Sequence, residues 1–261
     1  MTMDESVFFK RWFTDYVESF YSPNKEDQKN IFLKEKHTFE VCKNMMQISG
    51  ELRLSNKDLM LSEVIALFHD IGRFPQYAKY KTFRDRKSIN HGFLGAQTLI
   101  EKNILQDLSD KEQELIIKAV RFHNAFSIPK VEGEDTIFFI KLIKDADKLD
   151  IWRVFLEYYD APEEERASAV GLGLQDITGY SEEILLGILR GQMVSLSQLK
   201  SLNDFKLMQL SWIYDLHYKP SFRLLTERAY IDKIICHLPE DEGIQKASAV
   251  LKKYVIERLK D

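Results

Sequence analysis

Six histidines occur in the chain, and four of them, His37, His69, His91 and His123, lie where a helical wheel points inward. His69 follows Ile65 and Ala66 by four and three positions, and His123 follows Ile116, Ala119 and Val120 by seven, four and three. His91 precedes Leu94 and Gly95, and His37 lies midway between Leu33 and Val41. Residues three, four and seven apart share one face of a helix. Two acids follow the same rule. Asp70 has Ala66 and Leu67 on its face, and Asp147 sits in the apolar stripe Ile140, Ile143, Asp147, Ile151, Val154. A buried carboxylate without a partner costs several kcal/mol or stays protonated. A divalent cation removes that penalty, and imidazole with carboxylate is a ligand set for zinc, iron or manganese. Each residue alone has a plainer reading. A single inward histidine is more often hydrogen-bonded core, Asp147 can pair with Lys144 or His37, and Asp70 can end a helix or pair with Arg73. Six such residues on five separate helices point to a metal site.

A second group is cationic. Between Asp70 and His91 runs RFPQYAKYKTFRDRKSIN, with Arg73, Lys79, Lys81, Arg84, Arg86 and Lys87 against Asp85 alone, in a chain of net charge −4. Cations beside a metal centre suit the binding and neutralisation of phosphate. The segment reads as a basic loop. Its aromatics, Phe74, Tyr77, Tyr80 and Phe83, either stack on a base or pack back on the core. Arg73, nearest the ligand pair, leads the candidates for substrate contact. Lys148, directly after Asp147, is next, and Arg84, Arg86 and Lys87 complete the set.

The elements that must position these groups are helical. The chain has 261 residues, 44% hydrophobic and 30% charged, with 11 glycines and 6 prolines, and shows no alternating runs of the kind that build sheets. Periodicity predicts helices over 4–20, 25–52, 57–72, 90–103, 110–125, 135–159, 181–190, 203–218, 221–236 and 241–259. SNKD at 55–58 and SDKE at 109–112 are capping signals before apolar runs. GLGLQDITG, 171–179, reads as a loop between a helical core and a C-terminal set of helices. The aromatic stretch 210–234 reads as core or an oligomer seam, with His217 structural. The expected organisation is a single helical domain with a core over about 25–165 and an extension over 166–261. The charge balance gives no sign of a nucleic-acid or membrane surface. Two distant cysteines exclude a disulfide framework and fit a reduced, cytoplasmic setting. The N-terminal stretch does not read as a signal peptide, and no uncharged run is long enough to span a membrane.

The order His37 … His69-Asp70 … Asp147 resembles the HD-domain superfamily of metal-dependent phosphohydrolases. FHDIGR resembles its central His-Asp motif and DADKLD (145–150) its last ligand segment. HGFLGAQTL (91–99) and RFHN (121–124) resemble the extra histidine segments of two-metal members. The likeness covers about residues 30–160. It implies an all-α fold, an HD-like helical bundle with ligands facing a central cleft. It assigns His37, His69, Asp70 and Asp147 to one metal, with Asp70 bridging to a second held by His91 and His123. In one-metal relatives, histidines near these last positions contact substrate instead. Arg73 stands where members specialised for cyclic dinucleotides carry Lys, and their Gly-Tyr-Pro motif is missing, which weakens that substrate class.

The leading expectation is a phosphohydrolase acting on a small phosphorylated molecule, a nucleotide or phosphomonoester. Metal-bound hydroxide would attack phosphorus while Asp70, Arg73 and Lys148 carry the chemistry. One or two divalent ions are implied, with Mn, Fe, Zn, Mg, Co and Ni not distinguished. Two alternatives remain open, a di-iron oxygenase built on the same ligands and a non-catalytic nucleotide-binding regulatory domain. No nucleic-acid polymer or membrane partner is expected. The C-terminal helices are open to capping the cleft or building a homodimer.

Overall fold

The computed structural model describes residues 3–130, 133–170 and 174–260. The predicted all-α class holds. Among the described residues the only β feature is an isolated bridge between Gln175 and Ser201. The chain divides into two compact units. One runs to Asp150 and includes Glu165–Val170; the other comprises Ile151–Glu164 and the residues from Gly171 onward. No helix is long and apolar enough to cross a membrane among the described residues, and Cys42 and Cys236 are both free thiols.

The first unit contains α1 (Met3–Glu18), α2 (Lys25–Glu51), α3 (Asn56–Phe68), α4 (Arg73–Tyr80), α5 (His91–Glu101) and α6 (Asp110–Phe122). It also holds α7 (Glu134–Asp160) as far as Asp150. Local chemistry sets the starts. The Asn24 side chain accepts from the backbone N–H groups of Glu26 and Asp27 at α2. Ser55 accepts from the Asp58 N–H at α3, so the SNKD signal is a true cap. At α6, Glu112 Oε2 accepts from both the backbone N–H and the hydroxyl of Ser109, which is the capping box expected there. The core is apolar and aromatic. Phe68, at the end of α3, meets Phe9, Trp12 and Phe13 of α1, and Ile65, Val41, Met45, Ile116 and Ile143 are all buried.

Two expectations on the elements of this unit need correction. The helix expected over 57–72 stops at Phe68, and residues 69–72 turn. The basic segment is not a loop throughout, because its first part is α4. Pro75 lies in the first turn of α4, where its missing N–H has no intrahelical partner in any case. The helix ends at Lys81, which is left-handed at φ 52°. Phe74 and Tyr77 are buried, so they support the core and are not available to stack on a base. Beyond α4 a short 3-10 turn covers Asp85–Lys87.

In the second unit, Trp152 of α7 is fully buried. Its indole N–H donates to the carbonyl of Gln209, and its ring lies near Trp212 and Tyr230. Around it are α8 (Glu182–Leu189), α9 (Leu202–Ser211), α10 (Lys219–Glu227), α11 (Tyr230–Ile235) and α12 (Glu242–Lys260). The helix expected over 203–218 ends at Ser211 and continues as a 3-10 turn to Asp215. The one expected over 221–236 is two helices, broken where Ala229 is left-handed at φ 53°. Of the loop expected at 171–179, residues 171–173 lie outside the described residues. Of the aromatics in the stretch 210–234, Phe222 and Tyr230 are buried, and Trp212, Tyr214 and Tyr218 are half-buried.

Candidate metal centre

The six predicted ligands come together in the first unit. His37 projects from α2, His91 opens α5, and Asp147 comes from α7. His69 and His123 occupy equivalent places, each as the residue that ends its helix, α3 and α6. All four histidines and Asp70 are buried. The two oxygens of Asp70 face opposite ways. Oδ2 lies 3.4 Å from His37 Nε2 and 3.7 Å from His69 Nε2. Oδ1 lies 3.3 Å from His91 Nε2 and 3.6 Å from His123 Nε2. Within each half the imidazoles converge, His37 on His69 at 3.4 Å and His91 on His123 at 3.1 Å between Nε2 atoms. Asp147 Oδ1 joins the first half, 3.1 Å from His37 Nε2 and 3.8 Å from His69 Nε2.

The outward-facing nitrogens explain why Nε2 points inward. In each half one ring is braced by a carboxylate and the other by its own helix. Asp150 Oδ2 lies 2.6 Å from His37 Nδ1, and Asp85 Oδ2 2.8 Å from His91 Nδ1. His69 Nδ1–H donates to the carbonyl of Ala66 at 2.6 Å, and His123 Nδ1–H to that of Val120 at 2.7 Å. Partners of this kind fix ring orientation and leave Nε2 as the coordinating atom. Asp85 is itself held by Arg73, Gln76 and Asn124.

Electrostatics separates the rings. Burial pushes the His69 imidazole down to about 4. Burial, then the nearby Arg73 charge, pushes His91 down to about 3, so both rings are neutral at neutral pH. His37 goes the other way. Burial and Lys34 act to lower it, but hydrogen bonds with Asp147, Asp150 and Asp70 outweigh them and raise it to about 10. Burial also opposes ionisation of Asp70. The Lys34 charge, then that of His69 and hydrogen bonds from His123 and His37, nevertheless hold it well below the usual carboxylate range. For Asp147, too, burial acts to raise the carboxyl, but the His37 hydrogen bond and the His69 and His37 charges hold it below its usual range. Asp85 is brought down to about 2 despite burial, chiefly by its hydrogen bond with His91.

The donor set fits metal ions. With their Nδ1 atoms engaged by Asp85 and the Val120 carbonyl, His91 and His123 turn their Nε2 atoms toward each other at 3.1 Å, where a cation between them would use both. His37, His69 and Asp70 form one group able to hold an ion, and Asp70, His91 and His123 another.

Cations flank Asp70 on both sides. Arg73 Nε lies 3.5 Å from Oδ1 with no hydrogen-bond partner of its own, while its Nη1 donates to Gln76, Phe83 O and Asp85. Lys34, absent from the sequence reading, donates from Nζ to Asp70 Oδ2 at 2.7 Å. Asp85 and Asp150 are likewise not among the residues that the sequence marks as candidates for the site. Spacing carries a signal for two of the three, since Lys34 is three before His37 and Asp150 three after Asp147, on shared helix faces. Asp85, within a run of cations, carries none. Lys148 Nζ reaches back to the Lys144 carbonyl one turn earlier. Lys144 itself donates to Ala125 O, and Asp147 meets His37. The side chains of Arg84, Arg86 and Lys87 make no hydrogen bond or ion pair among the described residues, and Arg86 and Lys87 are exposed.

A histidine–aspartate cluster of this build, on a helical scaffold, is able to hold metal ions. Comparison with protein families agrees: the family model of the HD domain matches residues 35–152. That segment belongs to the HD domain family, whose general activity is metal-dependent hydrolysis. No curated protein and no solved structure matches the chain.

Proposed function

We propose that the chain is a metal-dependent phosphohydrolase that cleaves a phosphate ester of a small molecule, a nucleotide or a phosphomonoester, in the cytoplasm. The observation that carries this reading is the split of Asp70, with one oxygen toward His37 and His69 and the other toward His91 and His123. In that arrangement His37, His69 and Asp70 would hold one divalent ion, and Asp70, His91 and His123 a second. When bound, such ions supply an acidified water and Lewis-acid stabilisation of phosphoryl oxygens.

The chain's own residues do the remainder. Asp150 and Asp85 hold His37 and His91 in register. Arg73, anchored through Nη1, has its Nε beside Asp70 and receives a phosphoryl oxygen. Lys148, next to Asp147, serves as a second cation. Arg84, Arg86 and Lys87 meet the outer part of the substrate. The buried aromatics of α4 keep Arg73 in place rather than contacting the substrate.

The test is turnover of a generic aryl phosphate, followed by a panel of phosphorylated metabolites. Chelation should abolish activity and metal add-back restore it. Turnover that survives the His69→Ala, Asp70→Ala double change refutes the reading. Iron content with oxygen uptake and no phosphate release points to an oxygenase, and nucleotide binding without turnover to a regulatory domain.

A further inference from the structure

Among the described residues, Lys34 is the cation that hydrogen-bonds a carboxylate of the cluster, and it does so on the oxygen that faces His37 and His69. It stands one turn before His37 on α2, so both side chains leave the same face of that helix. Its side chain is 16% exposed, so the pair with Asp70 is only weakly screened. An ammonium at 2.7 Å and a divalent ion held with His37 and His69 compete for the charge of the same carboxylate oxygen, because the two cations repel. Filling that half of the centre therefore favours displacement of the ammonium. It has somewhere to go. Nζ already lies 5.5 Å from the centre of the Phe83 ring, and the Arg73 guanidinium lies 5.7 Å from the same ring. A lysine has a flexible four-carbon stem, and an aromatic face attracts its charge.

We propose that Lys34 is an exchangeable counter-ion. In the metal-free protein it neutralises Asp70 and competes with metal for Oδ2. Once displaced it joins Arg73 beside Phe83, and the two cations together bind the anionic phosphoryl end of the substrate. The metal-competition half rests only on the cluster being a metal centre. The phosphate half rests on the phosphohydrolase reading as well.

The experiment uses the full chain as wild type, Lys34→Met and Lys34→Arg. Melting curves confirm that each is folded, and the arginine variant keeps the test usable if methionine disturbs α2. Mn2+ affinity is measured by chelator competition, with no turnover required. The expected result is that Lys34→Met binds at least one equivalent of Mn2+ roughly tenfold or more tightly than wild type, since its Asp70 has lost a competing cation. Lys34→Arg should stay close to wild type. The Mn2+-loaded proteins are then titrated with inorganic phosphate, which should bind several-fold more weakly to Lys34→Met and near normally to Lys34→Arg. Unchanged or weaker Mn2+ affinity in Lys34→Met overturns the inference, as does unchanged phosphate affinity. A wild-type protein that binds no Mn2+ overturns the metal centre and this inference with it. Metal competition seen without any phosphate-ester turnover overturns the phosphohydrolase reading and leaves the counter-ion role standing.

Discussion

Replacing Asp150 by asparagine probes how the cluster is braced. Asp150 is buried and lies 2.6 Å from His37 Nδ1. Asparagine keeps the size and can still accept a hydrogen bond, but it loses the charge. Outer partners of metal-bound histidines are worth about 10–100-fold in metal affinity, or about 1.4–2.7 kcal/mol at about 1.36 kcal/mol per tenfold. A second effect opposes this one. In the metal-free protein the three neighbouring carboxylates hold His37 protonated up to about pH 10, and metal must displace that proton. Because the His37 pKa lies well above 7, this competition weakens metal binding across the neutral range. Removing one of the carboxylates lowers the His37 pKa and lightens the competition. The deficit of Asp150→Asn should therefore be small at pH 6 and widen as pH rises toward about 10, where His37 of the wild type also gives up its proton. Chelator-competition titrations of Mn2+ at pH 6, 7.5 and 9, on both proteins, read this directly. A deficit independent of pH, or none at pH 9, refutes the account of His37 and its brace.

The same histidine makes the stability of the metal-free protein depend on pH. Its folded pKa lies above the ordinary value near 6.5, so the stabilisation is fully present below about pH 6.5 and is lost as pH rises through about 10. The melting temperature of chelated protein should fall between pH 7 and 10, and His37→Gln should remove most of that fall; an equal fall in both proteins would assign it to other groups. Gly72→Ala tests the packing that brings Asp70 to His91. A Cβ there would meet His91 O at 2.3 Å and Gly95 N at 2.6 Å, both backbone atoms that cannot swing aside. Overpacking of this kind costs about 1–3 kcal/mol, and each kcal/mol lowers the melting temperature by about 2–4 °C in a chain of this size. Unchanged melting and metal affinity would show that the approach of the two segments is not needed.

The six candidate ligands are legible because each is a polar residue at an apolar position of a strongly periodic helix, a conflict that sequence displays openly. His69, His123 and Asp147 are the clearest cases, and the structure brings all six together. What braces them was not legible in the same way. Asp150 and Lys34 share faces with ligands, yet an acid or lysine on a helix reads equally well as solvated. Asp85 reaches His91 through a 3-10 turn whose geometry no periodicity reports. Helix α4 was obscured because Pro75 and clustered cations read as loop, although a proline in the first turn is harmless. The break at Ala229 has neither glycine nor proline to mark it, since alanine there adopts a left-handed conformation that only tertiary context holds.

His69 and His123 each end a helix, and each gives its Nδ1 proton to a carbonyl three residues back. Those carbonyls, of Ala66 and Val120, are among the last four of α3 and α6, which have no partner within their helix. The same two ends carry the partial negative charge of the helix macrodipole, about half an electron each. Two helices thus aim their negative poles at the ground between Asp70 and its histidines. Cations are drawn there by the backbone as well as by the ligands, and lengthening either helix by one turn would misdirect a ligand and the field together.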